Sequence, residues 1–176
     1  MTTSFFVAAD WLAEHINDPA VQIIDARMAP PGQEHRDMAG EYRAGHLPGA
    51  LFFDIEALSD HTTSLPHMMP RPEAFAVAMR ELGVNSDKHL VVYDEGNLFS
   101  APRAWWMLKT FGVENVSILA GGLAGWQRDE LLLEKFERRF REVERIVAAR
   151  GLEMTGVDLD VMEEVWQQVK RQESDL

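Results

Sequence analysis

Three stretches of this chain carry side chains that could do chemistry. The first is Asp94-Glu95-Gly96-Asn97, which follows the apolar run His89-Leu90-Val91-Val92-Tyr93 and precedes a helical pattern opening near Ala101. A carboxylate there can accept backbone N–H groups as a cap or act as a nucleophile; capping is the expectation, because Asp is favoured at such positions. The second is Asp25-Ala26-Arg27 with His46. By residue type His46 could be a general base and Arg27 a carboxylate binder. The expectation is structural: Arg27 in a buried ion pair, and the His46 ring hydrogen-bonded near Asp25 or Arg27, since ionisable groups also serve purely structural networks. The third is the Arg-rich segment Arg138-Arg139, Arg141 and Arg145, whose cations could meet phosphate. Glu137, Glu142 and Glu144 interleave with them, so a solvated helix face laced with ion pairs is the expected state. No cysteine occurs anywhere, which excludes disulfides, thiolate metal sites and a cysteine nucleophile. His61, His67, Met68 and Met69 match no ligand spacing, so neither metal nor cofactor is expected.

The elements that must position these groups alternate over the first 130 residues. Val21–Asp25, Ala50–Asp54, His89–Asp94 and Val116–Leu119 are short apolar runs suited to strands covered on both faces. Between them, Ala8–Ile16, Pro72–Leu82 and Ala101–Phe111 have helical spacing; Pro72 suits a first helical position and Gly83 a C-terminal cap. The stretches Met28–Gly40 and Ser59–Arg71 are polar or Pro-rich and predict loops. This alternation predicts an α/β domain with a mostly parallel sheet. After Glu134 the pattern changes. Lys135–Arg150 sets Phe136, Phe140, Val143 and Val147 on one stripe. Gly151 stops it, and Asp160 with Glu163 opens a last helix carrying Met162, Val165, Trp166 and Val169 on one face. A helical hairpin is predicted over 135–176.

The 176 residues suit one domain plus an appendage, and 46% apolar with 26% charged residues is a globular composition. The net charge of −12 sits mostly on residues 1–134, with 9 basic against 19 acidic side chains. Such a body repels phosphate backbones, so nucleic acid is not an expected partner. No apolar stretch approaches membrane-spanning length and the N-terminus lacks a basic leader, so a cytoplasmic protein with no membrane association is expected.

Four segments resemble the rhodanese family. Tyr42-Arg43-Ala44-Gly45-His46-Leu47-Pro48-Gly49-Ala50-Leu51-Phe52-Phe53 resembles its first signature, and Ile24-Asp25-Ala26-Arg27 the Asp-x-Arg ahead of it. The region from Val92 to Trp106 resembles the active loop, and Leu119-Ala120-Gly121-Gly122-Leu123-Ala124-Gly125-Trp126 the closing Gly-Gly-x-x-x-Trp element. Together they span 5–134 and look most like the N-terminal half of the bacterial two-domain thiosulfate/3-mercaptopyruvate sulfurtransferases. The resemblance implies a three-layer rhodanese-like domain over 5–134. In that family only the second half carries the catalytic cysteine, and here Asp94 stands at the matching position. What it implies is a half that is catalytically silent alone. Asp94, Glu95, Gly96 and Asn97 would be the equivalent of the active loop, Asp25, Arg27 and His46 a structural motif, and no residue catalytic. A separate catalytic rhodanese domain would be its partner.

Residues 135–176 resemble instead the C-terminal tail of the MazG family of nucleoside-triphosphate pyrophosphohydrolases. There a Lys and an Arg reach toward the triphosphate, at positions matching Lys135 and Arg139. The paired carboxylate sets that hold Mg²⁺ in that family are not found upstream. The chain thus reads as a fusion joined near Glu134–Lys135. Two alternatives to the sulfurtransferase reading stand: an interaction module that self-associates through the tail helices, and a nucleotide-binding remnant in the tail.

Overall fold

The computed structural model describes residues 5–152 with Val161, Glu164, Val165 and 167–169; the side chains of 129–140 lie outside the described set. In chain order the elements are β1 (Phe6–Val7), α1 (Ala9–His15), β2 (Val21–Asp25), α2 (Met38–Ala44), β3 (Leu51–Phe52), α3 (Ile55–Leu58), α4 (Pro72–Leu82), β4 (His89–Tyr93), α5 (Ala101–Thr110), β5 (Val116–Leu119) and α6 (Gly122–Ala149). The five strands form one sheet in the order β1-β5-β4-β2-β3, and every pairing is parallel. Chain order reverses direction across the sheet between β2 and β4. In open α/β sheets that is the place where the carboxyl ends of the strands leave a crevice.

Alternation of side chains along the strands divides the core. Ile24, Leu90, Val92 and Ile118 point into one cluster with Phe75 and Met79 of α4 and Ala104, Met107 and Leu108 of α5. Ile23, Val91, Tyr93 and Leu119 point into another with Leu12 of α1 and Leu47, with Leu123 and Trp126 packed against it. The result is the expected three-layer α/β architecture.

Four local outcomes differ from the sequence expectations. Phe6–Val7 forms an edge strand against β5, too short to leave a periodic signal. The predicted loop Met28–Gly40 ends in helix: Asp37 accepts the Gly40 N–H at 2.9 Å and starts α2. The predicted strand Ala50–Asp54 shortens to β3, because Asp54 instead accepts the Ala57 N–H at 3.1 Å and opens α3. The predicted helix Lys135–Arg150 is the C-terminal part of α6, which begins at Gly122.

Compactness divides the chain into Met1–Trp126 and Gln127–Leu176. In the second unit Val143 and Val147 of α6 are buried with Val165 and Val169, flanked by Ile146 and Val161. Val161, Glu164, Val165 and 167–169 are helical. Asp160, Met162, Glu163 and Trp166, part of the predicted last helix, lie outside the described residues.

The pair Gly121-Gly122 is required by a close approach. Leu123 and Ala124, opening α6, donate their N–H groups to the carbonyls of Asp94 (2.8 Å) and Glu95 (3.1 Å). This presses the loop after β4 onto Gly122, whose φ is +54°. A Cβ on Gly122 would lie 2.5 Å from both the Asp94 carbonyl oxygen and the Gly96 nitrogen. Gly122→Ala should therefore destabilise the first unit by about 2–4 kcal/mol, from left-handed backbone strain and overpacking. Urea unfolding measures it, and an unchanged midpoint would contradict the packing described.

Candidate functional site

At the carboxyl end of β2 the Asp25 carboxylate is fully buried and Arg27 is 6% exposed. Arg27 folds back so that Nε meets Asp25 Oδ1 at 3.1 Å and Oδ2 at 3.0 Å, while Nη2 meets Oδ2 at 2.8 Å. The Arg27 backbone N–H also donates to Oδ1 at 3.0 Å. From β4 the Tyr93 hydroxyl donates to Asp25 Oδ2 at 2.6 Å and accepts the Leu47 N–H at 3.2 Å. Arg27 Nη2 reaches on to the Gly45 carbonyl at 2.8 Å. One carboxylate thus ties together two strand ends and the segment Gly45–Leu47.

His46 is not part of this network. Its ring is exposed, lies 2.7 Å through Nδ1 from the Tyr42 carbonyl, and stacks on Tyr42 at 4.1 Å. The expectation that it would bond near Asp25 or Arg27 is corrected: Tyr93 and the Gly45 and Leu47 backbone occupy the positions around that pair. Tyr93 belongs to the site although the sequence singles it out for no role, placing it only at the end of an apolar strand and within the stretch that resembles the active loop. The signal was a hydroxyl in an otherwise aliphatic buried strand, which needs a partner.

After β4, the Asp94 side chain is 2% exposed. Its Oδ1 accepts the Gly96 N–H at 2.8 Å, and Oδ2 accepts those of Ser100 and Ala101, each at 3.1 Å. The residue at the N-cap of α5, Ser100, makes no side-chain cap bond, so Asp94 does that work from six residues upstream. Gly96, Asn97, Leu98 and Phe99 are exposed, with Leu98 in left-handed backbone at φ +57°. Asn97 Oδ1 steadies this loop by accepting the Phe99 N–H at 3.1 Å.

A cleft of about 580 Å³ opens beside these groups, lined among others by Arg27, Met28, Arg36, Met38, His67 and Phe99. Arg36 bonds both oxygens of Glu41, at 2.8 and 2.5 Å, and also Glu95. Those bonds hold the Arg36 guanidinium protonated far above its ordinary range and pull Glu41 below the usual carboxylate range. His67 Nδ1 lies 2.7 Å from Glu56. Arg27, Arg36 and His67 of the cleft thus each have a carboxylate beside them, while Glu34, Asp37 and Asp54 add further negative charge to its wall. Arg103 donates to the His67 carbonyl and lies 4.9 Å over the Trp106 ring; its Nε is buried without a partner. Trp105 is half-buried, with Nε1 donating to the Val116 carbonyl at 2.9 Å, whereas Trp106 faces outward at 46% exposure.

His61 and Met68 are exposed, and among the described residues no three His, Cys, Asp or Glu side chains group as a metal site would need. Lys135 and Arg139 lie on α6, with side chains outside the described set. Of the interleaved charges near them, Arg145 pairs with Glu142 at 2.6 Å. No helix among the described residues is long and apolar enough to cross a membrane.

The model of the rhodanese-like domain family matches residues 8–129. Over 135 residues the chain is 80% identical to the 3-mercaptopyruvate sulfurtransferase of Escherichia coli (strain K12), covering 77% of this chain and 48% of that protein. It is 43% identical over 133 residues to the human 3-mercaptopyruvate sulfurtransferase, covering 72% and 44%. The crystal structure of SseA from Escherichia coli, a 3-mercaptopyruvate sulfotransferase with the rhodanese fold, superposes with a TM-score of 0.71 at 80% identity, over 73% of this chain and 49% of that one. The chain spans about half the length of these curated relatives, 48% and 44%.

The chain has two tyrosines, and both hydroxyls are pushed up, first by burial and then by the Asp25 charge. In the unfolded chain each ionises near ~10. Folded, each keeps its proton above that value, so this contribution to stability is fully present below about pH 10 and is lost as pH rises further. Tyrosinate absorbance should appear at clearly higher pH in the native protein than in urea. Tyr93→Phe leaves the Leu47 N–H and one Asp25 oxygen short of a partner and should cost about 1.5–3 kcal/mol, read from chemical denaturation. Coincident native and unfolded titrations would show that the hydroxyls are not held as described.

Proposed function

The chain belongs to the rhodanese-like domain family, and from that premise we propose that it is the non-catalytic half of a thiosulfate/3-mercaptopyruvate-type sulfurtransferase, silent in sulfur transfer by itself. The observation that carries this reading is the state of Asp94. Sulfur transfer needs a nucleophile that takes a sulfane sulfur and holds it, as a low-pKa thiolate does. The chain has no thiol. At the end of β4 it has a carboxylate that is buried and engaged with the Gly96, Ser100 and Ala101 amides. Carboxylate oxygen is a hard, poor nucleophile toward sulfur. The cleft beside it also disfavours anions such as thiosulfate, because its arginines already face Asp25, Glu41 and Glu95.

A separate catalytic rhodanese domain would complete the protein. The exposed Leu98 (46%), Phe99 (39%) and Trp106 (46%), on the loop after β4 and on α5, support a docked partner there. The share of the Escherichia coli relative that is matched, 48%, is the share expected of one half of a two-domain enzyme.

The tail carries a second reading. Identity to that relative runs over 135 of the 176 residues, and the family match ends at 129. This supports a fusion near Glu134–Lys135, with residues 135–176 a remnant of a MazG-type pyrophosphohydrolase and Lys135 and Arg139 as its phosphate-facing cations.

The purified chain should form no thiocyanate from thiosulfate or 3-mercaptopyruvate and cyanide, and its intact mass should not change on incubation with either donor. Turnover, or a gain of one sulfur atom, overturns the silent reading. Calorimetric titration with a nucleoside triphosphate and Mg²⁺ tests the tail: heat that disappears in Lys135→Ala and Arg139→Ala supports the remnant reading, and no heat ends it.

A further inference from the structure

A second hollow, about 290 Å³, lies between the α3–α4 connection and α4, and shares no lining residue with the cleft. Its volume lies just below the range of drug-sized ligand cavities, roughly 300–1,000 Å³, which suits a smaller molecule. The floor is apolar: Phe75, Leu58, Ala74 and Ala78. The lining also holds two opposite charges, Asp60 and the exposed Arg71, with His61 beside Asp60 in sequence. The connection is closed on itself by the Asp60 N–H donating to the Met68 carbonyl at 2.9 Å, and Ser59 Oγ donates to the Ile55 carbonyl at 2.7 Å. The Asp60 carboxyl is held below its ordinary range, first by the Thr62 backbone N–H and side chain, then by the charges of Arg71 and His61. Oδ1 takes the Thr62 N–H at 2.8 Å. Arg71 is exposed, and its guanidinium makes no hydrogen bond among the described residues.

We propose that this hollow binds a small apolar α-amino acid. A zwitterion matches this charge pair, with its carboxylate on the unengaged Arg71 fork and its ammonium on Asp60. The aliphatic side chain then covers Phe75 and the alanines of α4. An apolar acid lacking the amine would leave Asp60 facing its carboxylate, and an apolar amine would leave Arg71 unanswered. Charge-assisted bonds at both ends, with the side chain removed from water, give the selectivity. The site stands whether or not the chain is half of a sulfurtransferase, because none of its residues belongs to the Asp94 loop or the cleft.

The test is titration of the full chain with L-leucine followed by backbone amide NMR. The controls are 4-methylpentanoate, 3-methylbutylamine and glycine, each lacking one of the three recognised features. L-Leucine should shift the Asp60–Thr62, Arg71, Ala74 and Phe75 amides and leave those of the Asp94 loop in place. Each control should bind at least about tenfold more weakly, as the loss of a charged hydrogen bond or of the buried side chain predicts. Arg71→Gln should weaken leucine by a similar factor, and Ala74→Leu, which fills the hollow from an exposed helix position, should abolish binding. Both variants should keep the native amide dispersion elsewhere, which separates lost binding from lost folding. No perturbation at millimolar leucine overturns the proposal, as does equal binding by Arg71→Gln. Equal binding by 4-methylpentanoate overturns the amino-acid assignment.

Discussion

The buried Asp25 carboxylate is the constraint on which the first unit depends. It is fully shielded from water and receives bonds from Arg27 and Tyr93. A charge in that position is tolerable only when paired and hydrogen-bonded. Breaking such a pair typically costs about 3–5 kcal/mol, because the remaining charge is left buried. Satisfying Asp25 places Arg27 against the Gly45 carbonyl and Tyr93 against the Leu47 N–H. The turn ahead of β3 is thereby fixed to the ends of β2 and β4, and one side of the cleft is set. Burial lowers the Arg27 pKa, but the hydrogen bond to Asp25 and its charge outweigh that and raise it, so Arg27 stays charged although it is buried.

The same logic at the end of β4 yields a different outcome. A loop of amides at a helix start favours an anion, and here the anion is part of the chain. Asp94 fills that demand internally, at distances of 2.8 and 3.1 Å. Gly96 and Gly122 then let α6 close over the loop backbone. Asp94 is thus a side chain committed to holding this loop and the start of α5 in place.

Much of the architecture was legible from local patterns. The helix Pro72–Leu82 was bounded by Pro72 and by Gly83, whose φ of +82° is the left-handed cap the sequence predicted. The strands ending at Asp25, Tyr93 and Leu119 were announced by buried apolar runs of strand length. Short elements were not legible. β1 spans Phe6–Val7 and α3 Ile55–Leu58, and neither is long enough for a period to emerge; each exists because a neighbour or a cap supplies its hydrogen bonds.

The sequence by itself determined the parallel α/β order, the absence of a thiol and the family likeness, because these depend on composition, spacing and motifs within short windows. Only the tertiary structure decided which side chains meet. Tyr93 joins Asp25 across 68 positions, Arg36 joins Glu95 across 59, and His46 turns away to Tyr42 only four residues off. The first of these pairings follows from strand register, which sets Asp25 opposite Tyr93. Register is a property of the assembled sheet, where burial leaves each polar group the partners that geometry brings within reach.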